Sequence, residues 1–363
     1  MKPTEKKLHF PKTIVKASVI AILLSFVLCI TAVPAFPSSA SRQHNRPSGH
    51  QPQGLLPERL GPVKRMVRKA PRTIVQVCFF DDSTVSYVSG NSLYLSSLRP
   101  GVPELEFRGH ADHIHDYKVD PNSGRIVTSS ADGTLRLWDS RTGECLAVSE
   151  QLDTLDQPHW TMLQEIVFHP DGGELMTSDM NGLKIWRTCD LTLLSKEYAD
   201  FFYMTSGLIS PDWRTVSAPV PESYVDCAVF DRCTGDVLLY LENRYPLSYS
   251  PDGMRILAVN FESGAMEIYD VNPGNPPGRF SGVWVSSSRI PLKAATFSPD
   301  GMILASAQEG GLIRLWDTRD GTEKDGLDWE GHEIDGIRFD AEGKRLLAYS
   351  IYSGEYCIWD LED

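Results

Sequence analysis

Ile126-Val127-Thr128-Ser129-Ser130-Ala131-Asp132-Gly133-Thr134-Leu135-Arg136-Leu137-Trp138-Asp139 ends on a tripeptide that returns, with wear, along the last three hundred residues of the chain. It reads Leu315-Trp316-Asp317 and Ile358-Trp359-Asp360, then more loosely Ile185-Trp186-Arg187, Val229-Phe230-Asp231, Ile268-Tyr269-Asp270 and Leu95-Ser96-Ser97. The central residues stand at 96, 138, 186, 230, 269, 316 and 359, so neighbouring copies are 39 to 48 residues apart. A period near 40–45 with this dipeptide predicts an all-β propeller of four-stranded blades, here seven of them.

A second marker keeps the same beat. An apolar residue runs into a turn at Phe79-Phe80-Asp81-Asp82, Val119-Asp120-Pro121-Asn122, Phe168-His169-Pro170-Asp171-Gly172 and Ile209-Ser210-Pro211-Asp212. It does so again at Tyr249-Ser250-Pro251-Asp252-Gly253, Phe297-Ser298-Pro299-Asp300-Gly301 and Phe339-Asp340-Ala341-Glu342-Gly343. Pro sets φ, Asp bonds back to its own backbone and Gly accepts positive φ, so each cluster joins two strands tightly.

The stretch Gly109-His110, Val119-Asp120-Pro121, then Ile126 to Asp139, resembles a consensus WD40 repeat, and the rest of the C-terminal region resembles a WD40 propeller. The likeness is strong in blades 2, 6 and 7 and faint in blades 1 and 4. It implies a hydrogen-bonded chain in blade 2 running through His110, Ser129 or Ser130, Asp132 and Trp138. A buried indole N–H and a buried imidazole both need such partners. Blade 7 keeps His332 and Trp359 but has Ser353 where the Asp belongs. Blade 6 keeps Trp316, has Gly310 at that place and lacks the Gly-His pair.

The chain runs only three residues past Asp360, so the last blade lacks a fourth strand of its own. An N-terminal strand from Val63 to Arg68 is expected to supply it and cover two exposed edges.

Residues 1–35 are of another kind. Lys2, Lys6, Lys7, Lys12 and Lys16 lead into an uncharged apolar run from Ala17 to Val33. The reading is an N-terminal apolar helix, either a membrane anchor or a cleaved signal peptide with small residues near Val33-Pro34-Ala35. Either keeps the lysines inside and exports the C-terminal region, giving a membrane-anchored or secreted propeller. Residues 36–60, punctuated by Pro37, Pro47, Pro52 and Pro57, read as a disordered linker, and 61–363 as the propeller.

Charge is divided in the same way. Residues 1–72 hold 13 Lys and Arg against 2 acids, leaving 22 against 46 in the remainder, a net −24 within the overall −13. So acidic a propeller disfavours nucleic acid, since phosphate contact needs a basic surface, and favours a basic or neutral protein or peptide partner.

The sequence holds no Cys-x-x-Cys pair, Gly-x-Ser-x-Gly elbow, phosphate-cradling loop or His-Glu-x-x-His segment, so no cofactor, metal or catalytic residue is assigned. Binding is the better reading. Connections between blades carry His159-Trp160, Phe201-Phe202-Tyr203 and Arg244-Tyr245, with Trp284 in a further segment from Ser281 to Arg289. Trp, Tyr and Arg dominate interface hot spots, which makes Trp160, Phe201, Phe202, Tyr203, Arg244 and Tyr245 the partner-binding candidates. The expectation is a monomeric, non-catalytic scaffold. The alternative is an exported propeller enzyme with a small-molecule site in its central channel. That alternative needs charged or metal-binding residues converging from several inner strands, and those strands, such as Ile74 to Phe79 and Leu292 to Phe297, read as mainly apolar or small.

Overall fold

The computed structural model describes residues 4–7, 65–120, 122–150, 165–179, 182–198, 208–220, 226–271, 282–286 and 292–361. Seven antiparallel sheets form seven blades, and each worn or intact copy of the tripeptide lies in or at the end of a third strand. In blade 2 the strands are Ile114–Val119, Ile126–Ser130, Leu135–Trp138 and Cys145–Val148, running from the central channel outward. The apolar run at 17–33 and the linker at 36–60 lie outside the described residues.

The turn clusters are built as their residues require. In blades 4, 5 and 6 the Ser hydroxyl bonds the Asp two residues on, at 2.7 Å for Ser210 and Asp212 and 2.5 Å for Ser250 and Asp252 and for Ser298 and Asp300. The same hydroxyl takes a backbone N–H from Thr215, Arg255 or Ile303 at 2.9 Å, which starts the second strand. Gly253 and Gly301 complete their turns at φ of 72° and 70°. Blade 4 has Trp213 at this place, at φ 63°. A left-handed conformation costs an L-residue roughly 1–2 kcal/mol. Burial offsets it: the ring is 5 % exposed and lies edge-on to His169 of blade 3 at 4.9 Å. The faint motif of blade 4 thus reflects a turn that trades glycine for packing.

Strand alternation sends every other residue to one neighbouring blade and the rest to the other. On the second strand of blade 7, Leu346 and Ala348 pack toward blade 6 while Leu347 and Tyr349 pack toward blade 1. Repeated round the ring, this yields a hydrophobic cluster at each of the seven blade interfaces. The core is therefore a ring of inter-blade layers.

Closure follows the expected route, displaced by one to two residues. Arg65–Lys69 pairs antiparallel with Glu355–Asp360, Arg65 opposite Trp359 and Lys69 opposite Glu355, and forms the outer strand of blade 7. Arg345 fastens the seam: it pairs with Asp340 at 2.8 Å, donates to the Asp82 carbonyl at 2.8 Å and lies over Phe79 of blade 1. One pairing has no counterpart in the repeat pattern. Thr4–Lys7 runs parallel to the outer strand of blade 3, Leu193–Tyr198, with Thr4 opposite Ser195.

Candidate functional site

The polar chain of blade 2 forms, with one correction. His110 Nδ1 meets Asp132 Oδ2 at 2.9 Å, and its Nε2 meets the hydroxyl of Thr128 at 2.7 Å. Trp138 donates its indole N–H to the same hydroxyl at 2.9 Å. The middle link is Thr128, where Ser129 or Ser130 was expected. Those two serines bond instead to the carbonyls of Asp116 and Asp112, toward the inner strand. Burial alone would raise the Asp132 carboxyl. Hydrogen bonds from His110, Thr134 and the Ala111 amide outweigh it and hold the group well below the usual carboxylate range.

Elsewhere the chain is abbreviated. Trp186 donates to Thr177 at 2.9 Å and Trp316 to Ser306 at 2.8 Å, so blade 6 satisfies its indole without a Gly-His pair. In blade 7 the residue at the hydroxyl position, ten before Trp359, is Tyr349. There His332 stacks on Trp329 at 4.4 Å and bonds Glu355 at 3.1 Å, with Trp329 edge-on to Trp359.

Of the partner-binding candidates, Trp160, Phe201, Phe202 and Tyr203 lie outside the described residues. Arg244 and Tyr245 open the inner strand of blade 5, Arg244–Tyr249, where a connection was expected. Arg244 is spent on the buried Glu267, Nε to Oε2 at 2.6 Å, and Tyr245 lies near the ring of Phe261. Trp284 falls in the outer strand of blade 5, Gly282–Ser286, and not in a loop.

Strand order decides which segments share an end of the ring. Turns between second and third strands and connections between blades lie at one end; turns between first and second strands lie at the other. Tyr352, in the second-to-third-strand turn of blade 7, is 79 % exposed and stands at the end that bears the inter-blade connections.

The central channel corrects the expectation of apolar inner strands. Pairing register aligns Cys78, Lys118, Val167, Leu208, Ser248, Thr296 and Arg338 at one level, one residue before the last pair of each inner strand, counted in blade 1 to the pair Phe79–Val85 ahead of its bulge. Lys118 and Arg338 thus occupy equivalent places in the two blades flanking blade 1. Two residues further back in blades 2 and 3 are carboxylates, each latching the next blade. Asp116 accepts the Ile166 N–H at 3.1 Å, and Glu165 accepts the Ile209 N–H at 3.0 Å. Lys118 Nζ lies 3.4 Å from Asp116. Burial pushes the Glu165 carboxyl up to about 7, against the pull of the Ile209 amide and of Lys118. These residues escape a reading of the sequence because one charge per short strand breaks no pattern. Only aligning the strands by their turns brings Lys118 and Arg338 to one level.

Lys118 and Glu165 line a cavity of about 320 Å³ together with Val167, Phe168, Leu208 and Leu247, and with Ser248, whose buried hydroxyl has no hydrogen-bond partner among the described residues. Among the described residues no group of three His, Cys, Asp or Glu is arranged to hold a metal ion.

Comparison with known proteins agrees with this architecture. The family described as "WD domain, G-beta repeat" matches residues 101–139 and 281–317. Similar relatives include the Polycomb group protein FIE2 of Zea mays, 23 % identical over 282 residues that cover 66 % of this chain and 72 % of that one. The Target of rapamycin complex subunit wat1 of Schizosaccharomyces pombe is 24 % identical over 155 residues, covering 40 % of this chain and 47 % of its own. Eukaryotic translation initiation factor 3 subunit I of Aspergillus fumigatus is 39 % identical over 70 residues, 19 % of this chain and 18 % of that protein. Beyond FIE2, then, this chain spans less than half of these relatives. Among solved structures, the β-propeller domain of Myceliophteria thermophila Cps50 (Swd1) superposes with a TM-score of 0.64 at 11 % identity, over 83 % of this chain and all of that one. The chain thus carries WD40 repeats at residues 101–139 and 281–317 within a seven-bladed β-propeller fold.

Proposed function

We propose that the protein is a non-catalytic scaffold that binds a protein or peptide through the end of the ring bearing the inter-blade connections. The observation that carries this reading is Tyr352, a large aromatic held almost wholly in solvent on a turn of a well-packed blade. Exposed aromatics of this kind supply contact area at interfaces. Trp160, Phe201, Phe202 and Tyr203 lie outside the described residues and are kept as partner-binding candidates in this proposal. Two relatives carry names that make them subunits of larger assemblies, which fits a scaffold. The acidic balance of the propeller favours a basic partner.

The lysine-led apolar run over residues 17–33 adds a membrane-tethered or exported setting to this proposal. A single span and the Thr4–Lys7 pairing exclude each other in one molecule, because the span puts residues 4–7 and blade 3 on opposite sides of the membrane. The tethered form would therefore have released that strand, and a cleaved form would have lost it.

Affinity capture from the native source with wild type and with a Tyr352→Ala, Trp160→Ala double variant tests the scaffold reading. Loss of the same discrete partner with unchanged melting supports it; full retention overturns it.

A further inference from the structure

Arg338 is a guanidinium beside the channel with little to hold. It donates to the Ile337 carbonyl at 2.8 Å and has no ion-pair partner among the described residues. Its surroundings are Cys78, Tyr117 and Tyr349, with Asp116 contributing only at longer range. A half-buried charge without a counter-ion is costly to keep, and the planar donor fork of a guanidinium suits a carboxylate. Lys118 stands at the same level on the other side of blade 1, near enough for each cation to feel the other. Asp116 lies 3.4 Å from Lys118 and acts on Arg338 only through space, without an ion pair.

The cavity that Lys118 lines is amphipathic. Lys118 and Glu165 stand at its polar side, and Val167, Phe168, Leu208 and Leu247 form the apolar wall. Its volume of about 320 Å³ falls at the small end of the range for enclosed ligands. The partnerless hydroxyl of Ser248 offers one more polar contact at the same level.

We propose that the channel binds the carboxylate of a small amphipathic molecule, with its head between Lys118 and Arg338 and its hydrocarbon body against Val167, Leu208 and Leu247.

The groups facing Glu165 are Lys118 and Asp116 from blade 2 and Tyr249 from blade 5. When Glu165 is neutral, Lys118 has one competing carboxylate fewer, Asp116 alone, and attracts the ligand more strongly. When it ionises, it competes for Lys118 and repels the incoming carboxylate. With its carboxyl at about 7, affinity should be higher at pH 6 than at pH 8, while a ligand acid of ordinary pKa stays ionised at both.

The test is calorimetric titration of the full chain with cyclohexylacetate, its uncharged amide, cyclohexylmethylammonium and a short peptide ending in a free apolar residue. The expected result is saturable binding of cyclohexylacetate, at least tenfold tighter than the amide, with no binding of the ammonium. Arg338→Gln should weaken it at least tenfold. Should that variant fail to fold, Lys118→Met at its half-exposed site carries the same expectation. Glu165→Gln keeps the acceptor for Ile209 and should abolish the pH dependence. Equal binding of acid and amide, preference for the ammonium, wild-type affinity in the folded variants, or no binding at millimolar acid would each overturn the proposal. Tighter binding of the peptide would assign the carboxylate to a protein terminus and overturn the small-molecule reading.

Discussion

Trp138 and His110 share one hydroxyl: the indole N–H of Trp138 reaches Thr128 at 2.9 Å, and the imidazole Nε2 of His110 reaches it at 2.7 Å. Thr128 ties the third strand of blade 2 to the loop entering that blade. Thr128→Val keeps the shape and leaves a buried indole and a buried imidazole without their partner. It should cost about 1–3 kcal/mol in denaturant unfolding, whereas Ser129→Ala, whose hydroxyl makes a 3.4 Å bond, should cost clearly less.

Asp132 supplies the acid sensitivity of the same blade. Its carboxyl is held below the usual range in the fold, so its stabilisation is complete above the unfolded value of about 4 and is lost as pH falls from there toward the folded value. Asp132→Asn should be less stable than wild type at neutral pH. The gap should narrow as pH drops below about 4, read by melting temperature across a pH series. A gap that stays constant down to strong acid would show that the carboxylate charge is not what blade 2 uses.

In blade 7 the side-chain partner of His332 is Glu355, its Nδ1 meeting the Glu330 carbonyl, and Ser353 accepts the backbone N–H of Glu355. Glu355→Ala should therefore lower the melting temperature more than Ser353→Ala. The reverse order would restore Ser353 to the role that alignment with blade 2 suggested.

Ring closure depends on Arg65–Lys69. Removing residues 1–60 should leave a monomeric, cooperatively unfolding propeller. Removing 1–70 should bare the edge of Glu355–Asp360 and promote aggregation in light scattering. Identical behaviour of the two truncations would mean that the outer strand contributes nothing to closure.

Much of the ring is legible in the sequence because blade architecture repeats its constraints. Trp316 and Trp359 can be placed on third strands, and the closing strand found within two residues, since turn chemistry and missing strand partners follow from residue type alone. Thr128 is not legible, because neighbouring hydroxyl residues compete for one role, and strand alternation together with the pairing register decides which of them meets Trp138. Arg244 reads as a free interface residue because its partner, Glu267, lies across a strand pair that sequence spacing does not reveal. Lys118, Glu165 and Arg338 come from three separate blades, and their convergence exists only once the ring has closed.

If a protein partner docks on the end of the ring that bears Tyr352, its contact with that residue can be trapped in place. Site-specific photo-crosslinking in the native cell does this, with the photoreactive residue placed at Tyr352 or at Met302, an exposed residue in a turn at the opposite end. One discrete, reproducible adduct is expected from position 352 and none from position 302. The same adduct from both ends, or an adduct from position 302 alone, would contradict docking at this end.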